Sequence, residues 1–132
     1  MAGETDLQKL LADLRPVLNP GRFVFCTFTG RVPAGLRPVV TVAEAEGVTA
    51  VVEQEEADGL GLAYDYVAAW ITLRTHSALS AVGLTAAVAG RLTEHGISCN
   101  VVAGFHHDHL FVPAARAEQA LGELRRLADD SA

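Results

Sequence analysis

The chain has 132 residues, half of them hydrophobic, and its mean hydropathy of +0.25 fits one compact unit or two very small ones. The formal net charge is −6, the pI is about 5.2, and the ten basic residues are scattered along the chain. Because nucleic-acid binding needs a basic surface that displaces counterions from phosphates, this pattern argues against a nucleic-acid partner.

The N-terminal segment is acidic and amphipathic, unlike a secretory signal peptide, and no apolar run is long enough to span a membrane. Cys26 and Cys99 each lie in an apolar, strand-like run, which is typical of reduced cysteines packed as small hydrophobic side chains. We therefore expect a cytoplasmic protein that does not associate with membranes.

In the first half, leucines spaced three and four apart predict an amphipathic helix over Thr5–Leu14, with Thr5 as its cap. Pro16 and the turn from Asn19 to Gly21 are expected to end it. Three strands and a short helix are predicted next, at Arg22–Phe28, Val39–Val42, Val48–Val52 and Glu55–Leu62. Gly59 and Gly61 lack the third glycine and the preceding strand of a dinucleotide-binding motif.

The second half follows the order strand, helix, strand, strand, helix, which is most of a βαββαβ unit. These elements are predicted at residues 67–75, 84–95, 97–104, 110–113 and 114–127, and residues 129–132 are expected to fray. The turn from the first of these strands into its helix has free backbone N–H groups at the positive end of the helix dipole. Such a turn can hold a carboxylate without a catalytic residue, which indicates a small-molecule sensor rather than an enzyme.

Residues Trp70 to Val112 resemble the ACT domain, a ferredoxin-like regulatory module. The match is carried by WITLRTHSALSAVGLTAAVAGRLTEHGISCNVVA, in which a strand ends in a polar turn and a glycine precedes an alanine-rich helix. Within it, HGISCN is similar to the family's entry to its second strand. The run HDHLFVP and the segment before Thr27 resemble small bacterial tandem ACT-like proteins of unknown specific function.

This resemblance implies an α/β chain of the α+β kind, built from ferredoxin-like βαββαβ units. We expect two ACT-like halves, with mainly antiparallel sheets and helices on one face. Residues 1–65 would form an incomplete N-terminal half and residues 66–132 a C-terminal ACT-like domain.

ACT domains typically bind amino acids at domain or subunit interfaces, through the strand-to-helix turn and the start of the second strand. The resemblance therefore implies a ligand site in this chain, in which the turn faces that strand. Its residues would be His76, Ser77, Ala78, Leu79, Ser80, Ala81, Val82, Gly83, Leu84, Asn100, Val101 and Val102. The N–H groups of Val82, Gly83 and Leu84 would hold an α-carboxylate, and the Asn100 amide with strand carbonyls would accept hydrogen bonds from an α-ammonium group.

The chain departs from the family pattern in two ways. The acidic residue often found in the family's turn is absent, and Ser77 and Ser80 stand there. The final strand of the second unit is also missing, so a neighbouring half or another subunit must supply or cover that sheet edge.

An alternative is a metal site formed by the four consecutive residues His106, His107, Asp108 and His109. Residues two apart share one face of a strand, so two imidazoles point together, whereas zinc requires three or four ligands. The run also lies at an expected hairpin turn, where polar residues are common, and a second subunit would have to complete the site.

Catalysis has less support. No serine or cysteine lies on a recognisable nucleophile elbow, and Glu53, Glu55 and Glu56 are typical of a solvated rim. We expect a non-catalytic, homodimeric regulatory protein that binds an amino acid or similar small metabolite at the turn and needs neither cofactor nor metal. The alternatives are a ligand-free dimerisation module and a metal-binding protein that uses the loop from His106 to His109.

Overall fold

The computed structural model describes residues 3–132 and has the expected α+β class, with mainly antiparallel strands. Its helices are α1 (Leu7–Ala12), α2 (Gln54–Gly59), α3 (Leu84–Glu94) and α4 (Ala117–Ser131), with a 3-10 turn at Ala114–Arg116 before the last. Its strands are β1 (Pro16–Leu18), β2 (Phe23–Phe28), β3 (Val40–Ala43), β4 (Val48–Glu53), β5 (Val67–Leu73), β6 (Asn100–Ala103) and β7 (Asp108–Pro113).

The chain folds into two compact units, and these do not correspond to its first and second halves in sequence. One unit is the continuous segment Pro20–Ala68, and the other combines the residues up to Asn19 with Ala69–Ala132. The N-terminal helix and first strand are therefore part of the unit that contains the C-terminal ACT-like segment.

The unit Pro20–Ala68 is a small antiparallel sheet with one short helix. β2 pairs with β4 from Phe23–Glu53 to Phe28–Val48, and β4 pairs in turn with β3. The first residues of β5 pair with the start of β2. The β-branched and aromatic runs that predicted these strands alternate between faces, and α2 covers one of them. Its buried core is Val24, Cys26, Leu36, Ala50, Val52 and Ala57.

The second unit has the strand order β1–β5–β7–β6. β1 runs antiparallel to β5, with Pro16 opposite Leu73 and Leu18 opposite Ile71, and a hydrogen bond from Thr75 N–H to the Leu14 carbonyl extends the pairing. β1 thus supplies the strand that is missing after α4. The sequence predicts only a helix stop and a turn here, because a three-residue strand that begins with proline carries little strand signal.

Helices α1, α3 and α4 cover one face of this second sheet. Their apolar stripes meet the alternate residues of β5 and β7 that point the same way. The resulting core is Leu10, Leu11, Leu14, Ala69, Ile71, Leu73, Leu84, Val88, Leu92, Ile97, Leu110, Val112, Ala120 and Leu124. Burial of these side chains is the main stabilising contribution to the unit.

Several element ends differ from the predicted ones for local reasons. α1 is capped by Asp6 rather than Thr5, since the Asp6 carboxylate accepts the Lys9 N–H at 3.3 Å. α4 continues to Ser131 instead of fraying at 129, and Asp130 in its last turn pairs with Arg91 at 3.0 Å. No helix within residues 3–132 is long and apolar enough to cross a membrane.

Candidate functional site

The connection between β5 and α3, residues 74–83, is called the β5–α3 turn below. It ends at Gly83, whose φ of +100° lies in the left-handed region that glycine adopts without strain. No side chain caps α3 there, so the first N–H groups of the helix have no capping partner. These groups and the helix dipole make the end of the turn favourable for an anion.

A small pocket of about 70 Å³ lies at this helix start, and we call it the inner pocket. Its lining comes from the turn, the first residues of α3 and the hairpin that joins β6 to β7. The lining residues are Ser77, Ala78, Leu79, Ala81, Leu84, Thr85, Ala103 and Asp108.

A second, more open pocket of about 300 Å³ adjoins it and is called the outer pocket. Ser77, Ala78 and Leu79 line both pockets, so the two pockets lie next to each other along the turn. The remaining lining residues of the outer pocket are Gly3, His76, Ser80 and Phe105. Of the predicted turn residues, Val82 and Gly83 line neither pocket but lie at the start of α3, where Val82 is 84% exposed.

Asp108 places a carboxylate in the inner pocket. It is the first residue of β7, stands opposite Ala103 and is half-buried. Burial raises the pKa of this carboxyl, while the charges of His109 and His107 and a hydrogen bond donated by the Ser77 hydroxyl oppose the rise. Within the described chain, no lysine or arginine lines the inner pocket.

The sequence predicts Asp108 in a polar hairpin turn and not among the ligand-binding residues. The signal that identifies it is alternation along the strand: Asp108 shares a face with Leu110 and Val112, both of which lie in the core beneath the helices. The acid that the turn lacks is therefore contributed by β7.

The structure differs from the expectation for Asn100, Val101 and Val102. Val101 stands opposite Leu110 and packs against the helix-side core. Asn100 and Val102 stand opposite Phe111 and His109, so their side chains are on the other face of the sheet and line neither pocket. The reason is the two-residue period of a strand, which prevents three successive side chains from facing the same turn.

The N-terminal segment holds the β5–α3 turn in place. Glu4 forms a parallel bridge with Ser77, in which the Glu4 N–H donates to the His76 carbonyl at 2.9 Å and the Ala78 N–H donates to the Glu4 carbonyl at 3.1 Å. Gly3 packs so closely that a Cβ there would lie 2.6 Å from the Ser77 carbonyl carbon. The N–H of Ala78 is thus already used within the protein, whereas those at the start of α3 remain for a ligand.

On the opposite sheet face, His109 is bound to Trp70. The indole Nε1–H donates to His109 Nδ1 at 3.0 Å, and the Thr72 hydroxyl lies 3.2 Å from the same nitrogen. Burial lowers the pKa of His109, as does the charge of His107, whereas Asp108 raises it. Because an indole N–H can only donate, this contact requires an unprotonated Nδ1.

This contact has a consequence for stability. Because the pKa of His109 is lowered in the folded protein, the unfolded chain binds more protons than the folded protein does below the ordinary histidine pKa of about 6.5. The free energy of unfolding should therefore fall as the pH drops below that value, until the folded pKa is passed. Melting temperatures at pH 7.5, 6.5 and 5.5 should decrease more in the wild type than in His109→Asn, whose amide oxygen keeps an acceptor for Trp70. Equal decreases in both proteins would contradict this assignment.

The metal alternative finds little geometric support. Among residues 3–132, no group of three or more His, Cys, Asp or Glu side chains is arranged to hold a metal ion. His106 and His107 have ring centroids 6.4 Å apart, and the Nδ1 of His109 is engaged by Trp70. His107 Nδ1 is buried without a hydrogen-bond partner.

Another buried acid, Glu123 on α4, has a structural explanation. Its carboxylate lies 2.7 Å from Arg126, 3.4 Å from His95 and 3.7 Å from Arg91. The hydrogen bond from Arg126 and the neighbouring positive charges lower the pKa of Glu123, against the effect of burial. These contacts tie α3 to α4 and keep the acid ionised, which is typical of an ion-pair network rather than of an acid catalyst.

Comparison with known proteins gives consistent results. Two models of the ACT domain match, one over residues 2–69 and the other over residues 66–126. A Vibrio cholerae protein of unknown function, described as a possible transport protein, has 47% identity and a TM-score of 0.85, with 92% of this chain and 95% of that chain covered. Among curated proteins, no sequence matches.

Two more distant structures share the fold alone. A protein from Agrobacterium tumefaciens has 18% identity and a TM-score of 0.68, over 86% of this chain and 87% of that chain. The ligand-free regulatory subunit of aspartate kinase from Thermus thermophilus has 11% identity and a TM-score of 0.64, over 85% of this chain and 95% of that chain.

Proposed function

The chain belongs to the ACT-domain family, and on this premise we propose that it is a non-catalytic regulatory protein that binds an amino acid or a similar small metabolite at the β5–α3 turn. ACT domains are typically regulatory rather than catalytic, and the likeness to the regulatory subunit of an aspartate kinase agrees with a regulatory ligand-binding role in general. The finer statement, that the ligand is an amino acid, rests on the inner pocket.

The observation that supports this ligand class is the pairing of opposite electrostatic features across one pocket. The uncapped start of α3 presents N–H donors and partial positive charge, and Asp108 presents a carboxylate. An α-amino acid carries a carboxylate and an ammonium group on one carbon, so it is complementary to both features. Hydrogen bonds to charged groups contribute about 1.5–3 kcal/mol each.

The site so proposed consists of the predicted turn residues with the hairpin residues that face them. The backbone N–H groups of Leu84 and Thr85, which line the inner pocket at the start of α3, would bind the carboxylate. Val82 and Gly83, which the sequence also suggests for this role, line neither pocket. Asp108 and the Ser77 hydroxyl would bind the ammonium group in place of Asn100. Gly83 is required by its left-handed conformation and by Leu7, whose Cδ2 lies 3.0 Å from where a Cβ would be.

A thermal-shift screen of the twenty amino acids with the full chain tests this proposal. A ligand present at about 100 times its Kd adds about 2.7 kcal/mol to the free energy of unfolding, which raises Tm by several degrees in a domain of this size. We expect at least one amino acid to produce such a shift. If none does, the sensor proposal fails.

The same screen addresses the ligand-free alternative. β6 is at the end of its sheet, so its backbone groups are available to another strand, and we propose that two copies of the chain form a homodimer. Light scattering alongside the screen would report the mass. A dimer that no amino acid stabilises would favour the dimerisation module over the sensor.

A further inference from the structure

The outer pocket has apolar walls formed by Ala78, Leu79 and Phe105, beside the polar residues His76, Ser77 and Ser80. Its largest apolar side chains are exposed. Leu79 is 68% exposed and Phe105 is 71% exposed, although both are large hydrophobic residues. Both side chains line the same pocket, Leu79 from the β5–α3 turn and Phe105 from the β6–β7 hairpin. A concave site with apolar walls that face water is typical of a pocket that a ligand covers.

The two pockets differ in what they can hold. The inner pocket, at about 70 Å³, has room for the carboxylate and ammonium groups of an amino acid but not for a large side chain. The outer pocket, at about 300 Å³, shares the lining residues Ser77, Ala78 and Leu79 with it. It is therefore the neighbouring space available to the side chain of a ligand held in the inner pocket.

The chemistry of the outer pocket favours an apolar side chain. Within the described chain, its lining contains no Asp, Glu, Lys or Arg, and His76 is its one titratable residue. A charged ligand group would lose solvation there without gaining an opposite charge, which is unfavourable. An apolar group that covers Leu79 and Phe105 would gain about 25 cal/mol for each Å² of apolar surface removed from water.

We propose that this site selects α-amino acids with an apolar side chain, which lies in the outer pocket against Leu79 and Phe105. The proposal rests on the proposed function and specifies its ligand class. Selectivity arises from the hairpin and the turn together, since each contributes one of the two apolar walls. The floor of the outer pocket is the backbone of the β5–α3 turn. Gly3 packs against this backbone so closely that a Cβ at residue 3 would lie 2.7 Å from the Ala78 nitrogen.

Titration calorimetry of the full chain with leucine, phenylalanine, alanine, glycine, aspartate and lysine tests this inference. We expect leucine or phenylalanine to bind about tenfold or more tightly than alanine, the lower end of what added methylene groups contribute in an apolar pocket. Aspartate and lysine should bind more weakly still. Equal affinity for alanine and leucine, or tighter binding of a charged amino acid, would overturn the inference and leave the proposed function standing. No binding by any of the six would also overturn the inference, whereas the proposed function fails only if none of the twenty amino acids in the thermal-shift screen binds.

Variants make the test residue-specific. Phe105→Ser should weaken leucine binding about tenfold and alanine binding less, and Leu79→Ser should act in the same direction. Leu60→Ser, at a residue that is 56% exposed in the unit Pro20–Ala68, is the matched control and should alter neither affinity. If the two site variants bind leucine as tightly as the control does, the outer pocket is not where the side chain lies.

Discussion

Asp108→Asn is expected to weaken the binding of an α-amino acid by about 10–150-fold. The reason is that the variant loses one hydrogen bond to a charged group, which contributes about 1.5–3 kcal/mol. The substitution keeps the size of the side chain but removes the charge that faces the ligand ammonium. Calorimetric titration with leucine, for wild type and variant at the same pH, measures the ratio of Kd values. Asp129→Asn, on an exposed part of α4, is the control and should bind as the wild type does.

The same substitution should not destabilise the protein. Burial raises the pKa of Asp108, which means that the folded protein disfavours the ionised form, and asparagine removes that cost. At pH 7 the melting temperature of the variant should equal or exceed that of the wild type. A variant with lower stability and unchanged ligand affinity would assign Asp108 to the fold instead of the ligand site.

Leu14→Ala is expected to reduce the free energy of unfolding by about 2–5 kcal/mol, the range for removing a buried leucine side chain. Leu14 is 0% exposed and lies between α1 and β1, in the core that also contains Ile71 and Leu124. The size of the effect follows from the architecture, since the N-terminal segment is part of the C-terminal unit.

Urea denaturation of the full chain measures this effect. Val17→Ala, in β1 at a residue that is 45% exposed, is the matched control and should change the free energy of unfolding by less than about 0.5 kcal/mol. Were residues 66–132 a self-sufficient domain, Leu14→Ala would leave its core intact, and the two variants would be equally stable.

Much of the fold could be predicted because its signals are local. The β5–α3 turn is recognised from a polar run, a glycine and an alanine-rich helix that are adjacent in sequence. In the structure that glycine, Gly83, has a left-handed conformation. The amphipathic stripes of α1 and α4 and the β-branched runs of β2 and β4 are equally local.

The remaining features depend on contacts between distant parts of the chain. β1 is three residues long, and only its pairing with β5, more than fifty residues away, makes it a strand. The register of β6 with β7 decides that Asn100 lies on the face away from the turn, and periodicity alone does not give that register. The bridge from Glu4 to Ser77 is a further long-range pairing that no sequence pattern indicates.

The central claim, that an amino acid binds at the β5–α3 turn, is tested most directly by backbone amide NMR of the full chain titrated with leucine. We expect saturable shifts that are largest for the amides of residues 77–85 and of Asp108, with those in the unit Pro20–Ala68 unchanged. Saturating leucine that leaves these amides unmoved, or that shifts a different region, would contradict the account.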